Sequence, residues 1–252
     1  LAEIKPGDLL YDLGCGDGRI VIAAAKVYGI RAVGIDIDPV RIGESEAKAA
    51  EAGVQDNVRF LNEDLFKTDF SDATVVTMYL LNSVNLRLRP KLLSSLKPGT
   101  RLISHRFTMD DWRPDKSVAV PQAGGEPRWV HYWVVPANAT GRWDWELDAG
   151  GGSRTYTFAA DQRFQDLRGK VSTDDRSLPL MGGRIEGARV LFRLEEERDG
   201  RRTVWVYEGE IVGNSVRGTA RRADDPETRS LSWTAYRDPG TIEPLDTAEP
   251  VR

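Results

Sequence analysis

The 252-residue chain is short of the features that usually betray a protein's chemistry at once. Its one cysteine, Cys15, has no second thiol to meet, so there is no intramolecular disulfide and no cysteine-based zinc site. No apolar run approaches the roughly 18 residues that span a bilayer, and no charged-then-apolar signal segment opens the chain. Positive charge is not in excess. A net charge of -4 and a pI near 5.4 disfavour nonspecific nucleic-acid binding, which needs a basic surface, and suit a basic substrate better. An initiator methionine is also missing, and Leu1 leads almost directly into the Lys5-Pro-Gly turn. The natural N-terminus is therefore expected to lie upstream. The expected location is cytoplasmic, or exported or membrane-anchored if a signal stood in that upstream part. Oligomeric state is not legible.

What is present centres on Leu9-Leu-Tyr-Asp-Leu-Gly-Cys-Gly-Asp-Gly-Arg19, a short apolar strand, three glycines at alternate positions, and the start of an apolar helix. Gly14, Gly16 and Gly18 let the backbone turn sharply and approach a ligand closely. A dinucleotide fingerprint would place its third glycine at position 19, which is Arg19, so the spacing argues against NAD. A P-loop is excluded because no Gly-Lys-Ser/Thr follows and Asp17 would repel a polyphosphate. A nucleoside ligand without phosphates remains; the alternative is a tight turn with no ligand.

Downstream, strands and helices alternate. Ile20, Ala23, Ala24 and Val27 recur at helical spacing up to Gly29, and Ala32–Asp36 reads as a buried strand. Asp38 and Pro39 open a second helix, and strands follow at 58–61, 73–79 and 102–107. Pro90 is expected to end one helical piece and begin another. Residues 129–135 read as a late antiparallel edge strand. This is the signature of an α/β, doubly wound, mostly parallel sheet. From about residue 136 lysine nearly vanishes, leaving Lys170, and short alternating segments predict a smaller all-β meander or barrel-like domain. Turns are expected at 148–153 and at Asp199-Gly200, with Val204 and Val206 inward and Trp205 and Tyr207 outward. Gly183–Val190 and Gly209–Val216 share the pattern G-x-I-x-G-x-x-V, as successive hairpins would. The predicted domains are 1–138 and 139–237, followed by a flexible tail over 238–252.

Asp36 stands 20 residues after Gly16, where a carboxylate can accept both hydroxyls of a ribose. Its alternative role is a carboxylate near the next helix start, a place Asp38 can fill. Asp12-Leu-Gly-Cys-Gly-Asp-Gly resembles motif I of the class I methyltransferases that use S-adenosylmethionine. Together with Asp64-Leu-Phe66 and Tyr79-Leu-Leu81 it is most similar to protein-lysine methyltransferases lacking a SET domain, a likeness that covers about residues 5 to 113. The resemblance implies a Rossmann-like domain, S-adenosyl-L-methionine as cofactor, and methyl transfer to protein lysine or another amine. It assigns the Gly14 and Gly16 backbone, with Cys15 between them, to the methionine end and Asp12 to its ammonium side. It places Asp64 at the adenine amino group, with Ile37, Leu65 and Tyr79 completing the cofactor-binding set; Asp64 alternatively caps a turn.

No catalytic residue is firmly marked, because methyl transfer mainly demands a neutral nucleophile held in line. Candidates past the fourth and fifth strands are Tyr79, His105 and Asp110, with Asn82 and Asn85 beside them; His105 is as readily a satisfied core histidine. His131 reads as structural. No metal is predicted, since Asp110-Asp111 alone is usually a solvated turn. The expected partner is an amine-bearing protein or small molecule and not nucleic acid. The competing functions are a small-molecule O- or N-methyltransferase, and a non-catalytic protein that binds cofactor while exposed Trp and Tyr of the β-domain bind a partner or glycan.

Overall fold

The computed structural model describes residues 1–122, 124–148, 152–198, 200–225 and 230–246. The chain divides into two compact units at Val135 and Pro136.

In the first unit the apolar runs at 9–13, 31–36 and 75–78 become the buried central strands of a sheet flanked by helices. β1 (Leu9–Leu13), β2 (Arg31–Asp36), β3 (Val58–Asn62), β4 (Val75–Met78) and β5 (Arg101–His105) are mutually parallel, with α1 (Arg19–Tyr28), α2 (Pro39–Glu51) and α3 (Asn82–Ser95) as connections. β6 (Lys116–Gln122) and β7 (Gly125–Val134) complete the sheet in the order β3-β2-β1-β4-β5-β7-β6. The order reverses direction at β1, between β2 and β4, so a crevice opens at the carboxyl ends of the strands there. Asp38 caps α2 as expected, its Oδ1 accepting from the Val40 amide at 2.9 Å.

Two expectations are corrected in this unit. The strand read at 129–135 is antiparallel but is not the edge, because β6 pairs along its outer side. That segment, Lys-Ser-Val-Ala-Val-Pro-Gln, is largely exposed and carries Pro121, which suits an edge and hides the alternation of a strand. Pro90 does not divide the helix. α3 runs through it, held by Leu88 and Leu92 in the core. Lys91 Nζ donates to the Phe66 and Thr68 carbonyls at 2.9 and 2.7 Å, and Arg89 Nη1 to the Met109 carbonyl at 2.8 Å. Tertiary bonds on both sides outweigh the one intrahelical bond a proline forfeits.

The second unit is a closed antiparallel barrel of eight strands: β8 (Gly141–Asp148), β9 (Ser153–Arg163), β10 (Asp166–Ser172), β11 (Ser177–Glu186), β12 (Arg189–Arg198), β13 (Arg201–Val212), β14 (Ser215–Arg222) and β15 (Leu231–Arg237). Both G-x-I-x-G-x-x-V segments form hairpins. Ile185 and Ile211 point inward, Gly187 and Gly213 take left-handed conformations at the turns, and Val190 and Val216 return to the core. Trp205 and Tyr207, expected outward, face the interior with Trp143, Trp145, Phe192 and Trp233. In the all-apolar run Val204–Tyr207 the period of two fixes no phase, and the lumen of an eight-stranded barrel needs the larger side chains to fill it. The exposed aromatic surface imagined for this domain is thus mostly its core.

The expected tail is corrected over its first part. Pro239–Thr241 forms a 3-10 turn, Thr241 Oγ1 accepts from the Arg142 amide at 2.8 Å, and the Glu243 amide donates to Thr140 Oγ1 at 2.9 Å. Hydrogen bonds to the barrel rim order a segment with no apolar period to bury. Residues 149–151 of one expected turn, Asp199 of the other, and 247–252 of the tail lie outside the described residues.

Candidate functional site

The glycine turn is pinned from behind and open in front. The amides of Gly14 and Cys15 both donate to the Ile35 carbonyl at 2.9 Å, which ties the turn to the end of β2. The Gly16 amide donates to Asp36 Oδ2 at 2.9 Å, while Asp36 Oδ1 accepts from the Asp38 amide at 3.0 Å. Ser45, buried on α2, donates to the Gly16 carbonyl at 2.9 Å. A Cβ at Gly18 would lie 2.8 Å from the Phe60 ring, and one at Gly14 2.6 Å from Leu80 Cδ2. At Gly16, with φ of 54°, a Cβ would meet nothing within 4 Å. That is the face a ligand can use. Asp17 is largely covered by its pairing with Arg19 and, at 2.6 Å, with Lys48, and these cations hold its carboxyl well below the usual range. Cys15 packs its side chain into the core with Leu10, Val21 and Ala24, and burial pushes its thiol up to about 12. Only its backbone belongs to the turn.

The acids at the strand ends differ in setting. Asp12, 3% exposed, accepts from Thr77 Oγ1 at 2.7 Å. Burial, seconded by the nearby charge of Asp36, pushes it up to about 7 against the opposing pull of Thr77. Asp36 is half-buried between the turn and Ile37, whose side chain is 73% exposed. Asn62 braces this corner by donating to the carbonyls of Asp36 and Ile37 at 3.1 and 2.9 Å. Asp64 Oδ1 accepts from the Phe66 amide at 3.0 Å, so it does cap its turn, next to the half-buried Leu65. A second acceptor site on each carboxylate oxygen keeps the ligand role compatible with the cap.

Beyond β4 and β5 the structure brings Tyr79 and His105 together, with ring centroids 4.5 Å apart, and Phe107 lies 6.5 Å from Tyr79. Tyr79 is 49% exposed. Burial and the charges of Arg128 and Arg106 hold His105 below its ordinary value. Asp110 sits apart, exposed on the turn Met109–Trp112 in a left-handed conformation, and its neighbour Asp111 pairs with Arg89. Asn82 is exposed at the start of α3, whereas Asn85 is buried, donating to Ser104 Oγ at 3.3 Å. His131 is buried 2.8 Å from Ser117 Oγ, within the sheet. Among the described residues no cluster of His, Cys, Asp and Glu is arranged to hold a metal.

Sequence reading missed Thr77, Ser45 and Asn62, which orient the acids and the turn. Thr77 carried a signal, as a hydroxyl in the otherwise apolar run Val75–Met78; Ser45 and Asn62 carried none.

The family described as the ANTKMT methyltransferase domain matches residues 12–116. A protein-lysine N-methyltransferase of Saccharolobus islandicus is 43% identical over 136 residues, covering 54% of this chain and 84% of that protein. The adenine nucleotide translocase lysine N-methyltransferase of Mus musculus is 37% identical over 128 residues, 50% of this chain and 54% of its own length. The chain thus spans most of the archaeal relative and about half of the mouse one. The crystal structure described as an RNA methyltransferase from Salinibacter ruber in complex with S-adenosyl-L-homocysteine is 50% identical, with a TM-score of 0.50, covering 54% of this chain and 85% of that one.

Proposed function

The chain belongs to the class I S-adenosylmethionine-dependent methyltransferases, in the family of the protein-lysine N-methyltransferases, and from that premise we propose that its methyl acceptor is the ε-amino group of a lysine in a protein. The observation that carries the reading is kinship with the archaeal protein-lysine N-methyltransferase, 84% of which this chain covers.

The residues at the crevice fit the cofactor. Gly16 leaves room where a Cβ would stand, and Asp12 is a buried carboxylate for which a cationic neighbour would be stabilising. On this reading Asp12 holds the cofactor's ammonium, the Gly14–Gly16 backbone its methionine end, Asp36 its ribose, and Ile37, Asp64 and Leu65 its adenine. S-adenosylmethionine supplies an electrophilic methyl group carried on a sulfonium.

The protein's remaining task is to present a neutral amine. A lysine entering past Tyr79 would meet an aromatic ring face, and the nearby charges of Arg106 and Arg128 would favour its neutral form. His105, its ring 4.5 Å from that of Tyr79 and held below its ordinary value, is placed to accept the proton the ammonium must lose.

RNA is a second reading, favoured by the description of the Salinibacter relative and opposed by the net charge of -4. Incubating the enzyme with methyl-labelled S-adenosylmethionine and a lysate separated into protein, RNA and metabolites distinguishes them. We expect label in protein, resistant to ribonuclease and mapped to methyl-lysine by mass spectrometry. Label confined to RNA or to metabolites would overturn the proposal.

A further inference from the structure

The barrel is sealed unevenly. β8 pairs with β9 along its whole length, from Gly141 opposite Ala160 to Asp148 opposite Ser153. With β15 it pairs only from Trp143 opposite Arg237 to Trp145 opposite Ala235. Both strands continue beyond that point, β8 to Asp148 and β15 back to Leu231, with no ladder pair joining them among the described residues. The splayed strands leave two strand edges facing each other across a gap, where main-chain groups can pair with an added chain.

The gap is a groove of about 470 Å³, a size typical of ligand clefts. Trp145 and Trp233 of the barrel core line it from below, and Asp144, Glu146, Thr234 and Tyr236 line its walls. The Tyr236 ring is 63% exposed. No lysine or arginine is among the described lining residues; outside the groove Arg142 approaches Asp144 at 3.3 Å, with both side chains largely in solvent. The wall is therefore acidic and aromatic, and beyond Trp145 the edge has no ladder partner in β15 among the described residues.

We infer that the β8–β15 seam docks an extended, lysine- or arginine-bearing segment of a protein as an added strand. Main-chain hydrogen bonds to the open edges supply affinity, Asp144 and Glu146 select positive side chains, and Tyr236 offers a ring to their aliphatic stems. That this protein is the methyl acceptor rests on the function proposed above.

The test uses the full chain with S-adenosylhomocysteine and a short synthetic peptide alternating lysine with valine and threonine, titrated by fluorescence anisotropy. Two control peptides carry glutamate in place of lysine, or prolines at the central positions. The lysine peptide should bind, and neither control should, since one lacks the charge and the other the amide donors. The Glu146→Lys/Thr234→Lys double variant should bind the lysine peptide about tenfold more weakly, with unchanged affinity for S-adenosylhomocysteine. Equal binding by wild type and double variant, equal binding of the proline peptide, or no binding of the lysine peptide would overturn the inference. So would sedimentation showing that the seam joins two copies of this chain in a dimer the double variant abolishes. Binding without methylation of the peptide would uphold the docking site and count only against lysine as acceptor.

Discussion

Asp12 and Asp36 carry the sharpest consequences. If Asp36 accepts the ribose hydroxyls, Asp36→Ala removes two charge-assisted hydrogen bonds of roughly 1.5 to 3 kcal/mol each, so affinity for S-adenosylhomocysteine should fall on the order of a hundredfold. The structure adds a second route to that loss, because the same carboxylate holds the Gly16 amide. Asp38→Ala, losing a helix cap of about 1 kcal/mol, should lower the melting temperature more than the affinity; calorimetric titration and thermal melts of both variants separate the two. For Asp12, a folded pKa of about 7 against 3.8 means that the folded state keeps a proton which the unfolded chain has lost. Its contribution to stability is therefore present below the unfolded value and disappears as pH rises from about 4 to 7. Asp12→Asn should accordingly gain stability over wild type across that window, the difference levelling off above pH 7 in denaturant titrations. A cationic ligand group reverses the balance: binding of S-adenosylhomocysteine by wild type should tighten from pH 6 to 8 and release a proton, and the variant should show neither effect.

The supports of the site are elements rather than isolated groups. α2 holds the turn through the Ser45 hydroxyl on the Gly16 carbonyl and the Lys48 ammonium on Asp17, and Ser45→Ala should cost about 1 kcal/mol of stability and weaken cofactor binding several-fold without touching the ligand. A variant that loses stability alone would show that the turn keeps its shape without this bond. In α3, Pro90 leaves the carbonyl one turn earlier without its helical donor. Pro90→Ala should restore that bond and stabilise the protein by about 1 kcal/mol, the gain being trimmed by the added freedom of the unfolded chain. Destabilisation in urea titrations would mean instead that packing around Leu88 and Leu92 depends on the proline's own geometry.

At the scale of the whole molecule, all the proposed cofactor residues precede Pro136, where the second compact unit begins. A chain ending at residue 135 should keep its affinity for S-adenosylhomocysteine yet lose activity on the protein substrate. Loss of cofactor affinity by a folded truncation would show that the barrel contributes to the site. The sheet, the glycine turn and the barrel were legible in the sequence because each rests on a local signal: apolar strands before helices, alternate glycines, and repeated G-x-I-x-G-x-x-V hairpins. What only the tertiary structure decided was whatever depends on partners distant in the chain. The proline inside α3 is carried by bonds to residues 66, 68 and 109, the inward phase of Trp205 and Tyr207 by the volume of a closed lumen, and the order of residues 239–243 by the barrel rim. The pairing of Tyr79 with His105, the protonation of Asp12 and the splayed β8–β15 seam belong to the same class. Local pattern sets which segments become strands and helices, while burial, charge and register are properties of neighbours that the chain brings together only once it has folded.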